Sequence, residues 1–262
     1  MQKKLPVWRV VRETYNYLGD HGGKMLAAAP QLAAILFVGT CVSLHLGYLA
    51  EVQHSLLLEL AGWLVGMVGP VLSAVAWHRY ILLDETPRGG LTVGRPERMY
   101  FMAAAGSAAL MFTVSLISAV TLALAKGPDG VPILILLPVA VLQWVPLYFL
   151  GHVFLALPQA ALTGKVDLRG IHALTRGNKW RFLAVALLPG LPLLVVLELF
   201  RAFVLQMPHQ ASFGYYLYSS TLVLMTSLVV VTTMSVTYRT LALASDEDAP
   251  DAPVDETVSV QG

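Results

Sequence analysis

Four ionisable residues stand inside or beside long apolar runs of this chain: His45, Glu59, Glu198 and Arg201. Ionised groups are costly in hydrocarbon, so residues of this kind pair, line a polar cavity or carry protons and ions. If His45, Glu59 and Glu198 converged they would form a proton or cation site, the basis of a small transporter or channel. The plainer reading pairs Glu198 with Arg201, three residues apart on one helical face. Glu59 and Arg201 are also close enough to helix ends to extend to water. A second group is basic: His78, Arg79, Arg176, Lys179, Arg181 and Arg239. Arginine at a helix end satisfies free carbonyls and lipid phosphates. Together the six residues are candidate contacts for anionic lipid headgroups. A third arrangement, His78 and Arg79 with His152, would suit lipid-modifying chemistry at the cytoplasmic face.

Familiar catalytic patterns are missing. The chain has no HExxH, no Walker loop and no GxGxxG. It also lacks a GxSxG elbow. Gly164-Lys165 has neither the preceding glycine nor the following Ser/Thr of a phosphate loop. The single cysteine, Cys41, cannot form an internal disulfide, and no Cys/His group has zinc spacing. The expectation is therefore a non-enzymatic protein with no catalytic residue, no cofactor and no metal. A net charge of +1 gives no attraction to nucleic acid.

The elements that must position these residues follow from composition. Of 262 residues, 56% are hydrophobic and 13% charged, where an average soluble domain has about 25% charged. The mean hydropathy is +0.68. The class is all-α: a polytopic transmembrane bundle with interfacial amphipathic helices. A crossing helix needs about 20 apolar residues, and six runs qualify: about 25–50, 56–83, 100–125, 131–157, 182–206 and 215–241. They make a membrane domain over 25–243, after a cytoplasmic amphipathic segment, 1–24. The acidic tail, 244–262, holds six acids and no aromatic, and is expected to stay disordered. Pro138, Pro146, Pro189 and Pro192 predict kinks rather than breaks.

With six alternating spans, fifteen of the 17 lysines and arginines fall on one side. The positive-inside rule then places both termini in the cytoplasm, with Trp77 and Trp180 at that interface. Residues 7–18 carry Val7, Trp8, Val11, Tyr15 and Leu18 on one helical face, which predicts an interfacial helix. A second such helix begins at the N-cap Asp167 and ends at Gly177 in a left-handed cap. The order of interfacial helix, basic junction and two spans recurs in 7–83 and 167–243, a parallel repeat or two similar answers to one constraint. Gly62, Gly66, Gly69 and Ser73 give the second span a small-residue face suited to close packing inside the bundle.

Trp77-His78-Arg79-Tyr80, Leu155-Ala156-Leu157-Pro158 leading to Leu174-Thr175-Arg176-Gly177-Asn178, and Tyr238-Arg239 form an arrangement that resembles multi-pass inner-membrane proteins of bacteria. It is similar in layout to YciC-type proteins and to the membrane domain of glycerophosphodiester phosphodiesterases. The resemblance implies a multi-pass bundle in the bacterial inner membrane. The phosphodiesterase catalytic domain has no counterpart here, so that activity is not implied. The functional expectation is a membrane scaffold or lipid-interacting protein, with the bilayer, anionic headgroups, a protein partner or a second copy as partners. The alternative is the transporter built on the His/Glu layer.

Overall fold

The computed structural model describes residues 4–86, 93–125, 133–142, 144–193, 195–196 and 213–243. Among the described residues every regular element is helical. The order is α1 (Val7–Ala28), α2 (Pro30–Gln53), α3 (Leu56–Leu83), α4 (Arg95–Ala125), α5 (Ile133–Leu142), α6 (Trp144–Thr163), α7 (Leu168–Thr175), α8 (Lys179–Leu187) and α9 (Phe213–Tyr238). A π-helical turn, Arg239–Leu243, closes α9. Four helical stretches are long and apolar enough to cross a membrane: Pro30–Gln53, Leu56–Leu83, Arg95–Ala125 and Gly214–Ala242. The chain is a helical membrane protein.

Its helix ends follow local chemistry. Ala29 sits outside helical geometry, and Pro30, which needs no backbone donor, opens α2. His54 ends α2 in the left-handed region at φ 50°, and Ser55 caps α3 by accepting from the Leu58 N–H. This two-residue link folds α2 and α3 into a hairpin. Gly69 then sits so close to α2 that a Cβ on it would lie 2.6 Å from the Leu36 Cα. Gly66 faces Ser43, and Gly62 faces the backbone of Ser43 and Gly47. The small-residue face is thus spent on packing within the bundle, as its spacing predicts. At the start of α4, Glu97 reaches back to the Gly94 N–H at 2.8 Å. Gly164, at φ 62°, ends α6 where the Arg95 side chain crosses it. Asp167 caps α7, and Gly177 follows that helix at φ 80°, as expected.

Burial is concentrated at one end of the bundle. Every residue from Val231 to Tyr238 is buried, so α9 is enclosed on all sides there. Trp77, Leu155, Ile171, Phe182 and Leu241 fill the same region. Short helices surround it: α1 packs on α9 and α8, α8 on α6 and α1, and α7 on α6. Farther along, the long helices separate and leave Val42, Leu57, Leu64, Phe112 and Leu116 exposed.

Several boundaries differ from the sequence expectation. The amphipathic helix runs on to Ala28 rather than Leu18, and the first apolar helix starts at Pro30. It buries Val10, Thr14 and Met25, whereas Trp8 is 75% exposed. Two apolar sectors therefore exist on α1, and the bundle takes the one that α9 meets. The region expected as one span over 131–157 is helical over Ile133–Leu142 and Trp144–Thr163, with residue 143 outside the described residues. In the 182–206 region, helix α8 stops at Leu187 and a turn follows over 188–190, so this is a break rather than a kink. Pro189 and Pro192 each remove a helix donor, and the freed Pro189 carbonyl accepts from the Tyr15 hydroxyl at 2.7 Å. Trp77, expected at the membrane rim, is fully buried.

The α2–α3 approach makes a test of the fold. Gly69→Ala forces two helix backbones apart and should cost about 1–3 kcal/mol, read as a lower thermal midpoint in detergent. Gly47→Ala meets no atom within 4 Å and should leave the midpoint unchanged or raise it.

Candidate functional site

His78 lies at the centre of the buried end and is entirely enclosed. Its Nδ1 is 2.7 Å from the Ser235 Oγ, and its Nε2 is 3.4 Å from the Tyr100 hydroxyl. The Ser235 hydroxyl already donates to the Val231 carbonyl at 2.9 Å. Its oxygen must then accept, so Nδ1–H of His78 is the donor and Nε2 is left to accept from Tyr100. One imidazole in one tautomer joins α3, α9 and α4. An ordinary helix-end anchor would face headgroups; His78 instead fixes three helices from inside.

Arg79, the next residue, is also engaged. Its Nε and Nη2 bind the Glu85 carboxylate at 2.8 and 2.9 Å, and its Nη1 donates to the Ala161 carbonyl at 3.2 Å. It ties the ends of α3 and α6 together. Arg181 donates to the Leu5 carbonyl at 2.7 Å, while the Leu5 N–H donates to the Asn178 Oδ1 at 2.9 Å. These bonds hold the start of the described chain against the first turn of α8. Arg239 is exposed beside Tyr17. Burial, with Tyr80 and Asp84 nearby, pushes the Tyr17 phenol up to about 12, and Arg239 opposes that rise. Arg176 is exposed with no ion pair among the described residues.

Lys179 belongs to a different cluster. Its Nζ stands 3.7 Å above the Tyr148 ring. The Tyr148 ring stacks on His152, which stacks on His172 with centroids 5.5 Å apart. His152 Nε2 lies 3.2 Å from His172 Nδ1 and 3.4 Å from the Thr175 hydroxyl. Thr175 donates its hydroxyl hydrogen to the His172 carbonyl. His152 Nε2 therefore carries the proton between the rings, His172 Nδ1 accepts it, and His172 Nε2–H faces outward. The buried His152 Nδ1 has no partner. His152 lies on the wall of an apolar cavity of about 480 Å³ between α4 and α6. A second cavity, of about 420 Å³, lies between α3, α4, α6 and α9, with Tyr100 in its wall.

Of the six candidate headgroup contacts, then, His78 is interior, Arg79 and Arg181 hold backbone, Arg239 stands by Tyr17, and Arg176 and Lys179 remain outward. Of His78, Arg79 and His152, only His152 lines either of these two cavities. In the His/Glu layer, His45 is exposed with its Nδ1 3.2 Å from the Tyr216 hydroxyl of α9. Next to it, Cys41 meets Ser220 at 3.1 Å. Glu59 is exposed in the first turn of α3, where a carboxylate favours the helix dipole. Glu198 and Arg201 lie outside the described residues. Sequence reasoning passed over Ser235, Tyr100, Tyr148 and His172. Tyr148 pairs with His152 at i+4 on one helix, which spacing could have shown; Ser235, Tyr100 and His172 meet partners on other helices, and no spacing rule brings those together.

Removing Ser235 isolates a buried N–H. Ser235→Ala should cost about 1–3 kcal/mol in thermal unfolding, and Tyr100→Phe, which loses a longer bond, should cost less. Glu85→Gln, at a half-exposed pair, should cost no more than about 1 kcal/mol. Comparison with known proteins adds no name to this geometry: no protein-family model, no curated protein and no solved structure matches the chain.

Proposed function

We propose that this chain is a six-span protein of the bacterial inner membrane, with both termini cytoplasmic, and that it is a non-enzymatic scaffold or lipid-interacting protein. The three sectors of α1 carry the reading. Around a helix of 3.6 residues per turn, Trp8 and Tyr15 lie about 130° from the buried Val10–Thr14 stripe. Arg9, Arg12, Glu13 and Asn16 occupy the remaining sector. Such a helix has one side for the bundle, one for hydrocarbon and one for water, the division expected of a segment lying in the interface. Leu168 on α7 and Trp180 on α8 are likewise 65% and 70% exposed. Arg12, Arg169 and Arg176 accompany them with no acidic partner among the described residues. Exposed aromatics beside unpaired cations match the chemistry of an anionic leaflet surface. In this reading the two remaining spans are α5 with α6 and the segment that follows α8, and the resemblance to YciC-type proteins stays a matter of layout.

Two measurements test it. Protein extracted in native lipid discs should retain anionic phospholipid above its bulk proportion by mass spectrometry; bulk-like lipid would count against lipid recognition. In a Cys41→Ser background, a cysteine at Gly19 should react with an impermeant maleimide only from the cytoplasmic side, and one at Gln53 only from the other. The reverse pattern would overturn the orientation.

A further inference from the structure

The cavity between α4 and α6 is larger than the packing of two helices requires, and its position narrows what can fill it. Its walls are apolar, among them Met102, Leu110, Phe149 and Val153. At about 480 Å³ it falls within the ~300–1,000 Å³ of ordinary small-molecule sites. Gly106 faces it with no atom within 4 Å of where a Cβ would stand. The neighbouring surface of α4, with Met102 and Phe112 both 68% exposed, is apolar as well. A groove opening onto such a surface in a membrane protein meets hydrocarbon chains before it meets water.

One edge of this groove differs. There His152 enters the wall; outside the lining, its ring stacks on His172 and Tyr148, and Tyr148 carries the Lys179 ammonium on its face. The proton arrangement derived above leaves His172 Nε2–H pointing away from its ring partner, with no bond among the described residues. The Lys179 ammonium has ring contact on one face and no carboxylate partner among the described residues. The nearest acid in sequence, Asp167, is occupied as the cap of α7. An outward imidazole N–H and an ammonium, both without an acid, complement an anion. An anion carried on an apolar chain would suit the apolar groove and the cations beyond its His152 edge.

We propose that the α4–α6 groove binds one phosphate-bearing membrane lipid, its chain lying along Gly106 and its phosphate at the His152 edge, drawn there by His172 and Lys179 on the far side of His152 and Tyr148. His152 lines the groove edge and also acts as a positioning residue, since it sets the tautomer of His172. This site rests on the lipid-interacting reading and makes it local.

The test uses full-length protein in discs of equal phosphatidylglycerol and phosphatidylcholine, released and weighed by native mass spectrometry. Wild type should keep one phosphatidylglycerol. Lys179→Gln and His172→Phe are surface changes and should each lower that occupancy about tenfold, the equivalent of one lost charge-assisted hydrogen bond. Gly106→Leu fills the groove without touching either residue. It adds helix propensity, should leave the thermal midpoint intact, and should abolish the adduct. Equal retention by all three variants would overturn this site while leaving lipid recognition elsewhere on the protein standing. Loss in the Lys179 and His172 variants but not in Gly106→Leu, with displacement by millimolar inorganic phosphate, would overturn the lipid in favour of a free phosphate. A wild type that keeps no anionic lipid would overturn both the site and the reading beneath it.

Discussion

The 2.7 Å bond between His78 and Ser235 fixes the register on which the rest of the bundle depends. It joins α3 to α9 across 157 residues of sequence, at a level where α9 is enclosed on every side. Apolar packing alone tolerates a helix sliding by part of a turn, because methyl groups have no preferred partner. A buried imidazole does not tolerate it, since an unmade bond there leaves a donor with nothing to donate to. With α3 and α9 locked, Tyr100 sets the height of α4, and Arg79 ties α6 to the same end through Ala161. The short helices can then close around a core whose geometry is already determined.

The contrast between the two ends follows from what surrounds each. Beyond the enclosed end, hydrocarbon is as good a neighbour for leucine as another leucine is, so no hydrophobic force draws the helices together. There α2 and α3 stay joined along the Gly62–Gly66–Gly69 face, and α2 meets α9 through Cys41–Ser220 and His45–Tyr216. At the enclosed end, polar side chains and freed carbonyls need partners. Tyr15 on Pro189 and Asn178 on Leu5 are examples.

Class and the main apolar helices were legible because length and hydropathy are local properties. The same holds for the glycine face of α3 and the left-handed cap at Gly177, each of which depends on residues within one or two turns. What could not be read depends on which side of a helix meets the protein. On α1 both Val10–Thr14 and Trp8–Tyr15 are credible buried stripes, and only the arrival of α9 selects the first. Trp77 and His78 sit at a helix end with an arginine after them, a pattern that describes a membrane anchor equally well. Here α9 extends past them and encloses both. The break at Pro189 was hidden for a similar reason, because its carbonyl finds a partner 174 residues away in Tyr15.

Cations illustrate how burial sorts residues of one type into different roles. Arg79 and Arg181 both reach backbone carbonyls, and a planar guanidinium with several fixed donors suits that work. Lys179 offers a compact charge on a flexible stem, and it rests on a tyrosine face with its remaining donors turned outward. Arg79 and Arg181 are consumed by the fold, and Lys179, like Arg176, is left over. In a protein with so little charge, an ammonium stacked on the ring of Tyr148 holds no backbone carbonyl, and this separates it from Arg79 and Arg181.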